Sequence, residues 1–315
     1  MVQLIIEGRF IIIMKRTLLS FACAGILLTG IFTGCGSQKQ MTLVNTLTFG
    51  VGDFQSLRLD YDADDIYVLE GDHDKVTLKE YMNEDKKSYY ARSSTQNGEL
   101  LITEGDRPRR SSFESYIEIY IPQEYNGSLF LHSTSGTIKS DVALNLPGDF
   151  GVDTTSGVIH LSNTKVSNLM ISSTNGELSF ENVDAEEVNI KTTNAAASMN
   201  QINGIISYQS KGGKLTATEL RGSGSFHASG DGSINISFTD VTGDITAFSK
   251  NGRLTLMLPS QLAFKFSAIT KEGSIKTSFA DQLASKDHSA AGTIGNSPEI
   301  TIDLETRNGD IEVSM

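Results

Sequence analysis

Tryptophan is absent from this 315-residue chain, proline occurs five times and cysteine only twice. Each shortage excludes something. Both cysteines, Cys23 and Cys35, fall near the N-terminus, so the rest of the chain has no disulfide and no thiolate metal site. The histidines, His73, His132, His160, His227 and His288, show no paired metal-binding spacing. G-x-S-x-G, the Walker loop and H-E-x-x-H are all missing, which removes the common sequence marks of a serine hydrolase, a phosphate-cradling loop and a zinc protease. Positive charge is also short, with a formal net charge of −12. Nucleic acid needs a basic face, so it is not an expected partner; the balance suits a self-repelling, soluble surface. Catalytic, cofactor and metal residues are therefore expected to number none.

What the chain has instead is glycine, 29 residues of it, set into a repeated phrase. Ser133-Thr-Ser-Gly-Thr-Ile138 returns as Thr154-Thr-Ser-Gly-Val-Ile159 and as Ser173-Thr-Asn-Gly-Glu-Leu178. Copies centre on Gly136, Gly157, Gly176, Gly213, Gly232, Gly252, Gly273 and Gly309, with Ala195 in the glycine's place once. From Gly136 to Gly273 the spacings run 21, 19, 19, 18, 19, 20 and 21 residues. A period near 20 marks a solenoid, because one such unit cannot bury its apolar face alone. Apolar residues recur two and four places after the glycine, and seven and five places before it. Leu178 and Phe180, with Leu169 and Ile171, show the pattern. Period two on both sides of a turn predicts two or three short strands per coil, with alternate residues inward. The glycine is expected to form the corner by adopting a positive φ. Phe226 and Ala228 sit one place out of register, which predicts a bulge or turn insertion. Asn175, Asn194, Asn251 and Asn308 share one position and are expected to stack only where copies adjoin, as the first two do.

The array is read over residues 127–315, preceded by an irregular strand-rich part, 46–126. Leu57–Tyr61, Ile66–Leu69, Val76–Leu78, Leu100–Ile102 and Tyr116–Ile121 alternate as half-buried strands do. Residues 83–88 and 105–112 read as surface loops. Asp60, Asp62, Asp64 and Asp65 offer oxygen ligands that suit a hard cation, but the glycine and glutamate of an EF-hand are missing and a solvated turn is the plainer reading. Arg107-Pro-Arg-Arg110 is a basic cluster for anionic glycans or lipid headgroups, or else an exposed loop. Tyr89-Tyr90 is a sugar-stacking surface or ordinary strand packing. Residues 280–298 read as a surface loop, and Ile311–Met315 as an uncapped strand edge open to another chain.

At the N-terminus, Met14-Lys-Arg begins a basic segment, an apolar run follows to Phe32, and Phe32-Thr-Gly-Cys35 closes it. This is a secretory signal, residues 1–34, with 1–13 upstream of a better start at Met14. Its end resembles a bacterial lipobox with Phe32 in place of the usual leucine. That resemblance implies a diacylglyceryl group on Cys35, a lipidated tether over 35–45 and a lipid-anchored, extracytoplasmic protein at the bacterial membrane. An uncleaved signal anchor is the alternative.

Taken with the strands of 55–125 and the run from Ser133-Thr-Ser-Gly to Thr306-Arg-Asn-Gly-Asp-Ile311, this start resembles the bacterial "putative adhesin" or DUF4097 β-strand-repeat family over residues 50–315. The resemblance implies an all-β, right-handed single-stranded parallel β-helix, a β-solenoid, at the cell envelope. A non-enzymatic, adhesin-like lipoprotein for binding or scaffolding is expected, with cell-wall glycans or envelope proteins as partners. The rivals are a carbohydrate-active enzyme on a β-helix and an accessory protein of an envelope-stress sensing system.

Overall fold

The computed structural model describes residues 40–315. The signal segment, Cys23 and Cys35 lie outside the described residues, as does the tether up to residue 39. Apart from single 3₁₀ turns at Lys87–Tyr89 and Ala280–Gln282, the regular structure is all strand. In chain order the first strands are β1 (Thr42–Gly50), β2 (Ser56–Tyr61), β3 (Asp65–Glu70), β4 (Lys75–Met82), β5 (Arg92–Gln96), β6 (Glu99–Thr103) and β7 (Ser115–Ile121). Then come β8 (Ser128–Ser133), β9 (Ile138–Ser140), β10 (Leu144–Thr154), β11 (Ile159–Ser173), β12 (Glu177–Thr192), β13 (Ala196–Ser210), β14 (Leu215–Ala228) and β15 (Ile234–Ser249). The chain ends with β16 (Leu254–Met257), β17 (Phe264–Ile269), β18 (Ile275–Thr277), β19 (Leu283–Lys286), β20 (Ser289–Ile294), β21 (Ile300–Thr306) and β22 (Ile311–Ser314). All 22 belong to one continuous sheet.

The expected period becomes a parallel register. Ile159 pairs with Leu178, and Leu161 with Phe180; Leu178 pairs with Ala197, and Phe180 with Met199. Like stacks on like because each coil advances the chain by one repeat and one strand spacing, about 4.8 Å. Leu57, Leu129, Phe150, Leu169, Val188 and Ile206 form one such column, none more than 1% exposed. The offset of Phe226 and Ala228 is a turn insertion: Phe226 lies in register with Tyr208 and Ala247, and Ala228 with Ser210 and Ser249, so the extra residue falls in the corner between Ala228 and Gly232.

The corner differs from expectation. No phrase glycine has a positive φ. At six of the eight, a Ser or Thr hydroxyl three residues ahead accepts the glycine N–H, as Ser133 does from Gly136 at 3.0 Å, Thr154 from Gly157 at 2.8 Å and Ser249 from Gly252 at 2.9 Å. The same hydroxyl donates to a carbonyl of the adjoining coil, as Ser133 does to Asp64 (2.9 Å) and Ser249 to Gly232 (2.8 Å). Glycine is required by proximity: a Cβ on Gly157 would lie 2.1 Å from the carbonyl oxygen of Gly136, and one on Gly176 1.8 Å from that of Gly157. The left-handed residues sit at a second corner, six places later, at Asn163, Asn182, Gln201 and Glu219, with φ between 52° and 56°. Asn182 Nδ2 donates to Asn163 Oδ1 at 2.8 Å there. Gly157→Ala is therefore expected to destabilise by about 1–3 kcal/mol, since the Gly136 backbone it would meet cannot easily yield. Gly52→Ala, where a Cβ meets nothing within 4 Å, is the control. Urea melts of the two check this; equal midpoints would refute the proximity argument.

Coil order in space is not coil order in sequence. At the C-terminal end, β21 pairs with β15 on one side and β17 on the other. Likewise β22 lies between β16 and β18. The last coil of the chain is thus inserted before the one that precedes it. The glycine column records this: a Cβ on Gly309 would lie 2.0 Å from the Gly252 oxygen, and one on Gly273 2.0 Å from the Gly309 oxygen. The open edge expected at Ile311–Met315 is consequently a paired strand. Asn308 and Asn251, 57 residues apart, do adjoin, with Asn308 Nδ2 donating to Asn251 Oδ1 at 2.6 Å; Asn194 and Asn175 do so at 3.1 Å, as expected. The stretch 280–298 holds β19 and β20, a hairpin whose β20 pairs antiparallel with β17. The N-terminal end mirrors the exchange: β2 lies between β6 and β8, and β3 between β7 and β9. There β4 and β5 run antiparallel to β7 and β6, and β1 to β4.

Candidate functional site

Parallel stacking gives the exterior the same columns as the core. The strand segment five to seven places before each phrase glycine sends one row inward and the residues between and beside it outward. Along the outward row of this face, Arg58, Phe130, Gly151, Met170 and Asn189 are successive neighbours. The adjacent outward row runs Asp60, His132, Asp153, Ser172 and Lys191. Together they line an open groove of about 710 Å³.

Its floor depends on one missing side chain. A Cβ on Gly151 would stand 2.5 Å from Phe130 Cδ1, so the phenyl ring lies over the bare backbone of the next strand. The Arg58 guanidinium sits 4.7 Å from the ring centroid, held by Glu99 at 3.4 Å. Cation–ring pairs at exposed sites are worth about 0.5–1 kcal/mol, enough to bias the arginine rotamer. In the second row, His132 Nδ1 lies 2.8 Å from Asp153 Oδ2, and Nε2 lies 4.0 Å from Asp60. Further along the same face a second groove, of about 360 Å³, is lined by His227, Phe248, Thr246, Asp303, Glu305 and neighbours. His227 and Phe248 stack there at 4.7 Å and 20°. Of the phenylalanines in β8–β15, Phe150, Phe180, Phe226 and Phe238 are buried in the core. Phe130 and Phe248 alone face outward, one at each groove.

The basic cluster is not a free patch. Arg107 is buried, its two terminal nitrogens bonded to Asp64 and Glu80 and its Nε donating to the Tyr89 carbonyl at 3.2 Å. Arg109 pairs with Asp62 at 3.1 Å and Arg110 with Glu84 at 2.6 Å. The aspartate run is dispersed by the same contacts: Asp64 holds Arg107, Asp62 holds Arg109, and Asp65 accepts the Thr137 N–H at 2.7 Å. No cluster of three or more His, Cys, Asp or Glu suited to a metal is found among the described residues. Tyr89 is buried against Phe113, and Tyr90 bonds Asp85. Tyr67, Tyr81, Tyr116 and Tyr120, on β3, β4 and β7, are half-buried. Tyr81 and Tyr116 stack at 4.5 Å, and burial with nearby Glu118 pushes Tyr81 and Tyr120 up to about 12. Sequence reasoning missed both grooves. Phe130 and Phe248 occupy positions that alternation marks as outward, which is the signal that would have found them.

Among the described residues, no helix is long and apolar enough to cross a membrane. The family model for Toastrack DUF4097 matches residues 54–314. Similar solved structures include a putative adhesin from Bacteroides fragilis, 14% identical, covering 87% of this chain and 97% of that one with a TM-score of 0.44. A putative adhesin from Parabacteroides merdae is 15% identical, covering 85% and 95% with a TM-score of 0.42. A putative lipid binding protein from Parabacteroides distasonis is 13% identical, covering 85% and 96% with a TM-score of 0.38. No curated protein matches the chain.

Proposed function

The chain belongs to the Toastrack DUF4097 family, and on that footing we propose that it is a non-enzymatic binding protein displayed outside the bacterial cytoplasm. In this reading its coils wind as a right-handed β-helix, residues 1–34 are a secretory signal, and Cys35 carries the lipid that holds the solenoid at the membrane. The grooved face is the binding surface, adhesin-like in use. The observation that carries this is the placement of Phe130 and Phe248. Both rings are half-buried on an outward face, and apolar side chains rimmed by polar ones mark interaction sites.

Purified protein incubated with sacculi and with an envelope protein extract is expected to capture material from one of them. Phe130→Ala combined with Met170→Ala should weaken capture at least tenfold, with a stability loss of no more than about 1–2 kcal/mol for two half-buried side chains. Unchanged capture by the double variant would remove the groove from the function. Mass spectrometry of the mature protein should find an acylated peptide beginning at Cys35; an intact Met14 peptide would overturn the anchor.

A further inference from the structure

Between the two grooves the grooved face is neither empty nor random. From Phe130 the first outward row continues through Gly151, Met170, Asn189, Ser207 and Ser225 to Thr246. The second runs from His132 through Asp153, Ser172, Lys191, Gln209 and His227 to Phe248. Each step is one strand, and from Ser172 to Thr246 every strand presents an amide or hydroxyl outward, one about every 4.8 Å along the solenoid axis. The stretch is bracketed by an aromatic ring at either end, six strand steps apart, or roughly 29 Å at that spacing.

From this arrangement we infer that the face binds a linear oligosaccharide laid along the solenoid axis, with Phe130 and Phe248 as two aromatic subsites joined by a polar track. This rests on the binding role proposed above and names its ligand class. These regularly spaced hydrogen-bonding groups, with Asp153 and Lys191 among them, fit a polymer with a regular repeat of hydroxyls and amides. Aromatic and apolar surface at each end suits the C–H faces and acetamido methyls of sugar rings. The competing classes fit less well. A peptide strand adds to a sheet edge, and here the backbone of β10–β14 is already bonded on both sides. A nucleic acid meets a net charge of −12. An acyl chain requires an apolar cavity, whereas both grooves carry charged walls, Arg58 and Asp153 in one, Asp303 and Glu305 in the other.

Two subsites on one rigid scaffold make affinity depend on ligand length, because the second contact becomes intramolecular. Isothermal titration with chitohexaose and cellohexaose, against chitobiose and cellobiose, reads this directly. At least one hexasaccharide is expected to bind about tenfold or more tighter than its disaccharide. Phe130→Ala and Phe248→Ala should each lower hexasaccharide affinity about tenfold while leaving disaccharide binding at the other subsite intact. Asn235→Ala, exposed on a different strand segment of the coil, should change nothing. Both phenylalanines face outward, so an unchanged melting temperature separates lost binding from lost fold. Equal affinity for short and long ligands, or no response to either alanine, overturns the inference. If no glycan binds but envelope capture persists and is lost in the Phe130→Ala protein, the ligand class is wrong and the binding role stands. If capture also ignores Phe130, both fall.

Discussion

Replacing Arg107 with alanine is expected to cost about 3–5 kcal/mol, because it leaves buried carboxylates without their cation. The guanidinium and its partners Asp64 and Glu80 are 5% exposed or less. It also lies 5.1 Å from the buried Tyr61 ring. The site joins three places distant in sequence: Asp64 at the corner beside Gly136, Glu80 on β4, and the loop that carries Arg107. Glu80 is saturated, accepting from Asn45 Nδ2 at 2.7 Å and the Ala91 N–H at 2.8 Å as well. Asp64 is less well served, since its Oδ1 is buried with no protein partner. Burial accordingly raises the Asp64 carboxyl above its ordinary range, against the opposing pull of Arg107, and burial raises Glu104 beside it.

The sign of the pH effect follows. A carboxyl whose pKa is higher folded than unfolded holds its proton better in the folded state. Its contribution is fully present below the unfolded pKa and is lost as pH rises through the folded one. Removing Arg107 takes away the cation that favours the ionised form, so the variant should lose stability more steeply than wild type as pH rises above the ordinary carboxylate range. Asp64→Asn added to Arg107→Ala should flatten that dependence and recover part of the loss. Urea denaturation at several pH values measures all three proteins. An Arg107→Ala cost below about 1 kcal/mol, the range of a surface ion pair, would show that the cluster is solvated.

Deleting residues 299–315 is expected to unfold everything beyond β15, although a serial solenoid would lose only its last coil. The deletion removes β21 and β22, and with them the buried Ile302, Leu304, Ile311 and Val313. At about 1.5–3 kcal/mol per side chain, this is roughly 6–12 kcal/mol of apolar burial, comparable with the stability of a whole domain. The loss also falls in the middle of the stack. β17 and β18 keep no partner on the side that faced β21 and β22, and β15 and β16 acquire an open edge. Hydrogen exchange should therefore show protection lost across 254–294 and retained in β11–β13. Protection retained in β17 and β20 would mean that the outer coil docks without the inserted one. The same geometry has a kinetic consequence: the outer coil cannot pack fully until the end of the chain has been made and threaded beneath it.

The basic cluster shows where sequence reading stops. Arg107, Arg109 and Arg110 are indistinguishable in the string, yet one is buried in an ion cluster while Arg109 is exposed on the surface. The partners that decide this lie 43 and 27 residues away, and no local pattern reports such distances. Tyr89 was ambiguous for the same reason, since its packing depends on Phe113. The phrase glycine was located correctly and explained wrongly. A glycine required for a positive φ and one required by an approaching carbonyl look alike in one dimension.

By itself the sequence determined the all-β class, the coil length near 20 residues, the inward and outward faces, and the hydroxyl–glycine corners. Those properties repeat locally, and side-chain alternation writes them into every copy. Tertiary structure alone decided the order of the coils at both ends, the closure of the C-terminal edge, and the burial of Arg107. It also decided the meeting of Phe130 with the bare backbone of Gly151. Each of these depends on which coil lies next to which. A repeat whose copies are nearly interchangeable cannot specify its neighbours by pattern, so adjacency is settled by packing and by the antiparallel strands that occupy the ends.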